Sequence, residues 1–206
     1  MAASVVILDY GSGNLRSAER AVARTGVDVT VTSDLGLAAE ADGLVVPGVG
    51  AYAACMAGIH ELGAGPVIAE RVAAGRPVLG ICVGMQIMFE SGVEHGIETK
   101  GLGLLPGSVT RLRAERIPHM GWNTVSVPAG STLLAGLAAD TRFYFVHSYA
   151  ARDLDRLTDA VVTTAAHDEP FAAVVERDAL SVAQFHPEKS ADAGYALLSN
   201  WAATLR

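Results

Sequence analysis

The stretch Pro77-Val78-Leu79-Gly80-Ile81-Cys82-Val83-Gly84-Met85-Gln86 constrains this chain more than any other. An apolar run of strand character ends at Gly80, a Gly-x-Cys-x-Gly turn follows, and a helix-like run extends from Met85 to Glu90. A turn that tight crowds the side chains beside its apex, so glycines flank the one residue that carries a functional group. The pattern fits a strand passing directly into a helix with a nucleophile held up at the junction. The thiol of Cys82 then sits where the helix dipole and free N–H groups favour negative charge. The N–H of the next residue, Val83, can serve as half of an oxyanion hole. Taken alone, the motif also accommodates a cysteine that merely closes a strand–helix unit, because free cysteines are often buried.

The rest of the first half fits the same plan. Val5-Val6-Ile7-Leu8-Asp9 is a continuous apolar run of the kind found in strands covered on both faces. Gly11-Ser12-Gly13-Asn14 breaks it, and Leu15 to Arg24 has helical spacing. Val27–Val31 and Leu44–Val46 read as the next strands, the latter stopped by Pro47-Gly48-Val49-Gly50. Helices are expected over Tyr52–Leu62 and Pro66–Ala74, the second with its proline in the favoured first position. Alternating strands and helices predict a parallel sheet with helices on both faces. Loops after such strands gather at the carboxyl edge, so Asp9–Asn14, Pro47–Gly50 and Cys82 should share one rim.

Beyond the elbow the character changes. Gly92 to Gly107 reads as a glycine-rich loop, and strands are expected at Val109–Leu112, Thr124–Val127, Phe143–Val146, Ala160–Thr163, Ala172–Val175 and Ser181–Ala183. With few helices between them, much of this half should be antiparallel or mixed. A last helix, about Ala191 to Thr204, returns to cover the sheet. The fold class is thus α/β: a mixed, largely parallel central sheet with flanking helices and an added antiparallel strand region. No repeat or linker divides the chain, and residues 1–206 are expected to form a single domain.

Composition narrows the function. Fifteen Lys and Arg against 22 Asp and Glu leave a net charge of −7, which argues against a binder of phosphate backbones. No apolar run spans a bilayer and no basic stretch opens the chain, so no membrane contact and a cytoplasmic setting are expected. Cys55 and Cys82 are too few for a disulfide framework, and no Cys/His cluster has zinc spacing, so neither metal nor cofactor is expected.

A cysteine nucleophile needs a base, and the base needs an orienting group. Of six histidines, His60 lies in a helical pattern as a surface residue, and His95 and His167 sit in polar turns where solvation explains them. His147 ends an apolar strand but has no acid near it in sequence. His186 closes a strand as Gln184-Phe185-His186-Pro187-Glu188-Lys189. In extended backbone residues two apart face the same side, which puts Glu188 in reach of the ring. Cys82, His186 and Glu188 would then supply nucleophile, base and orienter; the same residues also accommodate a strand-end salt bridge between His186 and Glu188, with Cys82 elsewhere.

The elbow Gly80–Gln86 together with Phe185-His186-Pro187-Glu188 resembles the class I (triad) glutamine amidotransferases. Four further stretches narrow the resemblance: Asp9-Tyr10-Gly11-Ser12-Gly13-Asn14, Pro47-Gly48-Val49-Gly50, Pro118-His119-Met120-Gly121-Trp122-Asn123 and His186-Pro187-Glu188-Lys189-Ser190. They are similar to the glutaminase subunits of imidazole glycerol phosphate synthases, which act in histidine biosynthesis. The elbow of these proteins usually carries leucine after the cysteine, where this chain has Val83; only the backbone N–H is needed there.

The resemblance implies a chemistry. Cys82 attacks the side-chain amide of glutamine, His186 moves the proton to leaving ammonia, and Glu188 holds the ring. The second oxyanion donor comes from Val49–Gly50. Gln86, Glu94 and the backbone of Ser148 and Tyr149 contact the glutamine. Ammonia passes to a (β/α)8-barrel cyclase subunit, which uses it on a ribulosyl intermediate (PRFAR) to make imidazole glycerol phosphate and an aminoimidazole carboxamide ribotide. The docking rim comprises Gly13, Asn14, Trp122, Tyr144 and Lys189, with Trp122 suited to anchor an interface. Three other readings share parts of the pattern: an amidotransferase serving another synthetase, a non-catalytic regulatory subunit, and a cysteine peptidase with the same elbow.

Overall fold

A computed structural model describes residues 2–205. The chain runs β1 (Ser4–Leu8), α1 (Leu15–Ala23), β2 (Asp28–Thr32), α2 (Leu35–Glu40), β3 (Gly43–Gly48), α3 (Tyr52–Leu62), α4 (Ala64–Ala73), β4 (Val78–Cys82) and α5 (Val83–Gln86). It continues through β5 (Phe89–Glu94), β6 (Ile97–Lys100), β7 (Leu105–Arg111), β8 (His119–Thr124), β9 (Arg142–His147), β10 (Tyr149–Ala151), β11 (Val161–His167), β12 (Glu169–Arg177), β13 (Leu180–Ala183) and α6 (Ala191–Ala202). A seven-stranded sheet in the order β11-β12-β13-β4-β3-β1-β2 forms the centre. β2, β1, β3, β4 and β13 run parallel, and β12 and β11 are antiparallel additions at one edge. A four-stranded sheet (β10-β7-β5-β6) and the β8–β9 pair complete the mixed α/β architecture.

Register explains why the site forms where it does. β4 lies between β3 and β13, with Gly48 opposite Cys82 and Ala183 opposite Ile81. The parallel pairing brings the carboxyl ends of β3, β4 and β13 to one edge, and with them Val49, Cys82 and His186. Every residue of β3 and β4 is buried, as their unbroken apolar runs require of strands covered on both faces.

The chain departs from its sequence reading in several places. The helix after the elbow is a single turn, and Phe89–Glu94 is a strand paired with both β7 and β6. The stretch from Gly92 to Gly107 is therefore largely sheet. Its glycines serve close packing: a Cβ on Gly92 would lie 2.5 Å from Tyr52 Cδ2, and one on Gly101 would overlap the Phe89 carbonyl oxygen. The strand expected at Thr124–Val127 falls earlier, over His119–Thr124, and Ser126 keeps only an isolated bridge to Thr164. Register with β9 decides that boundary, and β-branched composition does not. Pro66 is the third residue of α4, which begins directly after the left-handed Gly63 that ends α3. α2 has no forerunner in the sequence reading. Its signal is Asp34, whose carboxylate accepts from the N–H groups of Gly36 and Leu37 at 2.8 and 3.0 Å, an N-cap.

Candidate active site

Cys82 stands at the apex between β4 and α5 with φ 56° and ψ −114°. A residue with a side chain holds that conformation only where its surroundings over-determine it. Here the surroundings are backbone packed on backbone. A Cβ on Gly84 would collide with the Val46 carbonyl, and one on Gly80 would lie 2.7 Å from the Gly84 oxygen. Strand β3, strand β4 and the first turn of α5 thus touch directly, and the thiol is aimed at the carboxyl edge of the sheet.

His186 follows β13 on the same edge. Its Nδ1–H donates to Glu188 Oε1 at 2.7 Å, and both side chains are buried. The backbone between them is not extended, as the sequence reading had it. Pro187–Lys189 is a 3-10 turn with His186 as its N-cap, and the turn folds Glu188 back under the ring. Burial opposes a charged imidazole here, but hydrogen bonds with Cys82 and Glu188, and the charges of both, outweigh it. The pKa rises from 6.5 to about 9. Strand β9 fixes the ring's backbone: His186 N donates to the Tyr144 carbonyl at 3.0 Å, and Ser190 Oγ donates to the His186 carbonyl at 2.7 Å.

A cavity of about 280 Å³ opens in front of the thiol. It is lined by Val49, Gly50, Cys82, Val83, Gln86, Glu94, Val146, His147, Ser148, Tyr149, His186 and Lys189. Every residue expected to contact glutamine or to form the oxyanion hole is among them. A larger cavity, about 700 Å³, lies at the amino ends of the parallel strands beside Arg76, Pro77 and Trp201. Neither cysteine nor histidine lines it, so chemistry rather than size selects the smaller one. Among the described residues, no cluster of three His, Cys, Asp or Glu could hold a metal ion.

Hydrogen bonding assigns the lining groups more narrowly than sequence could. Gln86 Nε2 donates to the Tyr149 carbonyl at 2.9 Å and to Gln184 Oε1 at 3.0 Å. Both of its N–H groups are therefore engaged, and only its carbonyl oxygen is left to accept from a ligand. Glu94 Oε2 accepts from Tyr52 N at 3.0 Å at the start of α3, leaving the other oxygen for a cation. The two proposed oxyanion donors differ in readiness. Val83 N–H opens α5, whereas Val49 N donates to Ser12 Oγ at 2.9 Å. Tyr10 clamps the same loop, its hydroxyl donating to the Pro47 carbonyl at 2.5 Å. Burial drives the Tyr10 pKa upward, so it stays a donor.

The residues expected at a docking rim surround the triad. Trp122 is 51% exposed, and its ring meets Tyr144 edge-on at 6.0 Å. Lys189 and Gly13 are exposed. Asn14 has a second attachment that the sequence did not reveal, with Nδ2 donating to Glu188 Oε1 at 3.0 Å. Gln184 was also missed, although it lies two residues before His186, just past the end of β13, and its Nε2 is 4.0 Å from the Cys82 sulfur. His60 and His95 are exposed as expected. His167 is not a free solvated ring: it stacks on His119 with ring centres 4.5 Å apart.

Fold and site together are those of the α/β proteins that carry a cysteine on a strand-to-helix elbow, with a histidine–glutamate pair on the same sheet edge. The family described as glutamine amidotransferase class-I matches residues 6–204. Imidazole glycerol phosphate synthase subunit HisH of Mycolicibacterium paratuberculosis is 64% identical over 96% of both chains. The subunit of the same name from Streptomyces avermitilis is 59% identical over 99% of this chain and 98% of its own. A solved structure of a glutamine amidotransferase superposes with a TM-score of 0.73 at 21% identity, covering 95% of this chain and 98% of that one. The chain belongs to the class-I glutamine amidotransferases and, within them, to the HisH subunits of imidazole glycerol phosphate synthase.

Proposed function

We propose that residues 1–206 act as one amidotransferase domain that hydrolyses glutamine and hands the ammonia to a partner subunit. The observation that carries this is the buried Cys82–His186–Glu188 array opening onto a cavity already lined by Gln86, Glu94 and Tyr149. Cys82 Sγ, its proton already passed to His186 Nε2, attacks the δ-carbonyl carbon of glutamine as a thiolate. The tetrahedral oxyanion is met by Val83 N–H and a donor from Val49–Gly50, each worth about 3 kcal/mol when well placed. His186 protonates the amide nitrogen, ammonia leaves, and a glutamyl thioester remains on Cys82. Water, deprotonated by His186, releases glutamate. Glu188 keeps the ring oriented and stabilises its charged form. The Gln86 carbonyl and Glu94 fit the cationic α-amino end of the substrate.

Ammonia released into neutral water becomes ammonium, which has no lone pair to react with. A subunit that makes ammonia for synthesis therefore works against a partner, in keeping with relatives named as synthase subunits. The partner in our reading is a (β/α)8-barrel cyclase that consumes ammonia and PRFAR. It docks on the rim of Gly13, Asn14, Trp122, Tyr144 and Lys189, and the site takes no cofactor. The setting is cytoplasmic, in keeping with two cysteines that are both free. Because Val49 N–H is tied to Ser12, the subunit alone should hydrolyse glutamine slowly, and the cyclase with its ligand should accelerate it. The test is glutamate formation by the purified chain with and without liganded cyclase. Fast hydrolysis by the chain alone, unchanged by the cyclase, refutes this reading.

A further inference from the structure

We propose that His119 and His147 are positioning residues of the glutamine site. A directed chain of hydrogen bonds runs from Asn123 through both rings to the Tyr149 carbonyl, where it meets a second chain that runs from the Gln86 amide through Gln184 to Cys82. The inference deepens the glutamine reading of the cavity and rests on it.

The direction of the chain follows from donor and acceptor chemistry. The Tyr149 carbonyl can only accept, so His147 Nδ1, 3.0 Å away, carries the proton. In a neutral ring Nε2 is then an acceptor, and it receives Nδ1–H of His119 at 2.9 Å. His119 Nε2 is left as an acceptor for Asn123 Nδ2 at 3.2 Å. The second N–H of Asn123 donates to the Ala166 carbonyl at 3.0 Å, and its oxygen accepts from Thr124 N at 2.9 Å. Every group has one consistent role. Burial holds both rings neutral, with pKa values lowered from 6.5 to about 4 for His119 and about 3 for His147.

Packing holds the rings in place. His119 and His147 are direct cross-strand partners in the β8–β9 pair. His119 stacks on Phe145 at 4.7 Å and on His167 at 4.5 Å. Phenylalanine would fill these spaces without the cost of burying four ring nitrogens, so shape alone does not call for histidine. What histidine adds is a fixed bond to the rim of the cavity. Tyr149 O receives two donors, His147 Nδ1–H and Gln86 Nε2–H, which fill both of its lone pairs. That doubly held carbonyl sets the position of Gln86, and Gln184 continues the contact to the thiol. Trp122, the exposed neighbour of Asn123, sits at the other end, so the face proposed for docking and the substrate rim are joined by one rigid path.

The test uses the complex with the cyclase. His119→Phe keeps the stacked ring and removes both bonds; His119→Asn restores a donor one bond from Cγ, where Nδ1 stood. We expect His119→Phe to raise the KM for glutamine about tenfold, the loss of one buried hydrogen bond, with synthesis from added ammonia unchanged. His119→Asn should return KM to within twofold of wild type. A KM unchanged in the Phe variant, or an Asn variant as impaired as the Phe variant, overturns the proposal. Nitrogen-15 spectra of the wild-type rings give an arm that needs no activity: both should be Nδ1–H tautomers at pH 6, and an Nε2–H or doubly protonated ring at either position overturns it. Wild-type glutamine hydrolysis tests the underlying reading separately. Its absence defeats that reading, while the ring tautomers still decide the chain.

Discussion

Ser12→Ala is the perturbation with the clearest functional sign. The Val49 N–H that the proposed oxyanion hole needs is held by Ser12 Oγ at 2.9 Å. Removing the hydroxyl deletes that bond and leaves the clamp from Tyr10 to Pro47 in place. A neutral hydrogen bond of this kind is worth about 1 kcal/mol net, and 1 kcal/mol is about a fivefold change in a two-state population. Glutamine hydrolysis by the subunit alone should therefore rise about fivefold. In the complex with liganded cyclase, where the loop is already reorganised, the rate should stay within twofold of wild type, so the stimulation ratio falls about fivefold. Ser12→Thr keeps a hydroxyl and should behave as wild type. The assay is glutamate formation with and without the partner. An alanine variant whose rate alone is unchanged or lower refutes the idea that this bond holds the site off.

Two further outcomes follow from the buried titrating groups. Glu188→Gln removes a charge-assisted hydrogen bond worth about 1.5–3 kcal/mol, so glutamine turnover should fall by about 10- to 150-fold. His186 should then titrate clearly below its value of about 9. Its stabilising contribution is present below pH 6.5 and lost as pH rises through about 9, so an unchanged His186 titration in the variant sinks the assigned pairing. His119 and His147 act with the opposite sign. Their folded pKa values lie below 6.5, so stability present above pH 6.5 is lost as pH falls. Each ring should cost about 1.2 kcal/mol between pH 6 and 5, above most carboxylate titration. Denaturant unfolding at the two pH values should show a loss of about 2.4 kcal/mol in wild type and half that in His119→Phe. Equal losses in the two proteins count against buried, neutral rings.

The strands that carry the nucleophile were legible because continuous apolar runs ended by glycine turns leave few options. The pairing of His186 with Glu188 was legible because the two are only two residues apart, although a 3-10 turn and not extended backbone joins them. What the sequence concealed depends on contacts between distant segments. Gly92 and Gly101 look like loop residues until Tyr52 and Phe89 lie against them. His119 and His147 are 28 residues apart, and only the β8–β9 register makes them neighbours. Asn14 reads as a turn residue, and its bond to Glu188 spans nearly the whole chain. The engagement of Val49 N–H is a matter of one backbone orientation, which no residue type records. Gln184 could have been found, since a polar residue set among apolar neighbours just before His186 is buried and needs a partner.

In the proposed function Cys82 is the nucleophile that makes ammonia for use in another subunit. Cys82→Ala in the assembled enzyme tests it most directly, with product formation measured first from glutamine and then from added ammonium salt. Glutamine-dependent synthesis and glutamate formation should disappear while ammonia-dependent synthesis continues at the wild-type rate. Glutamate formation that persists without the thiol would contradict that role.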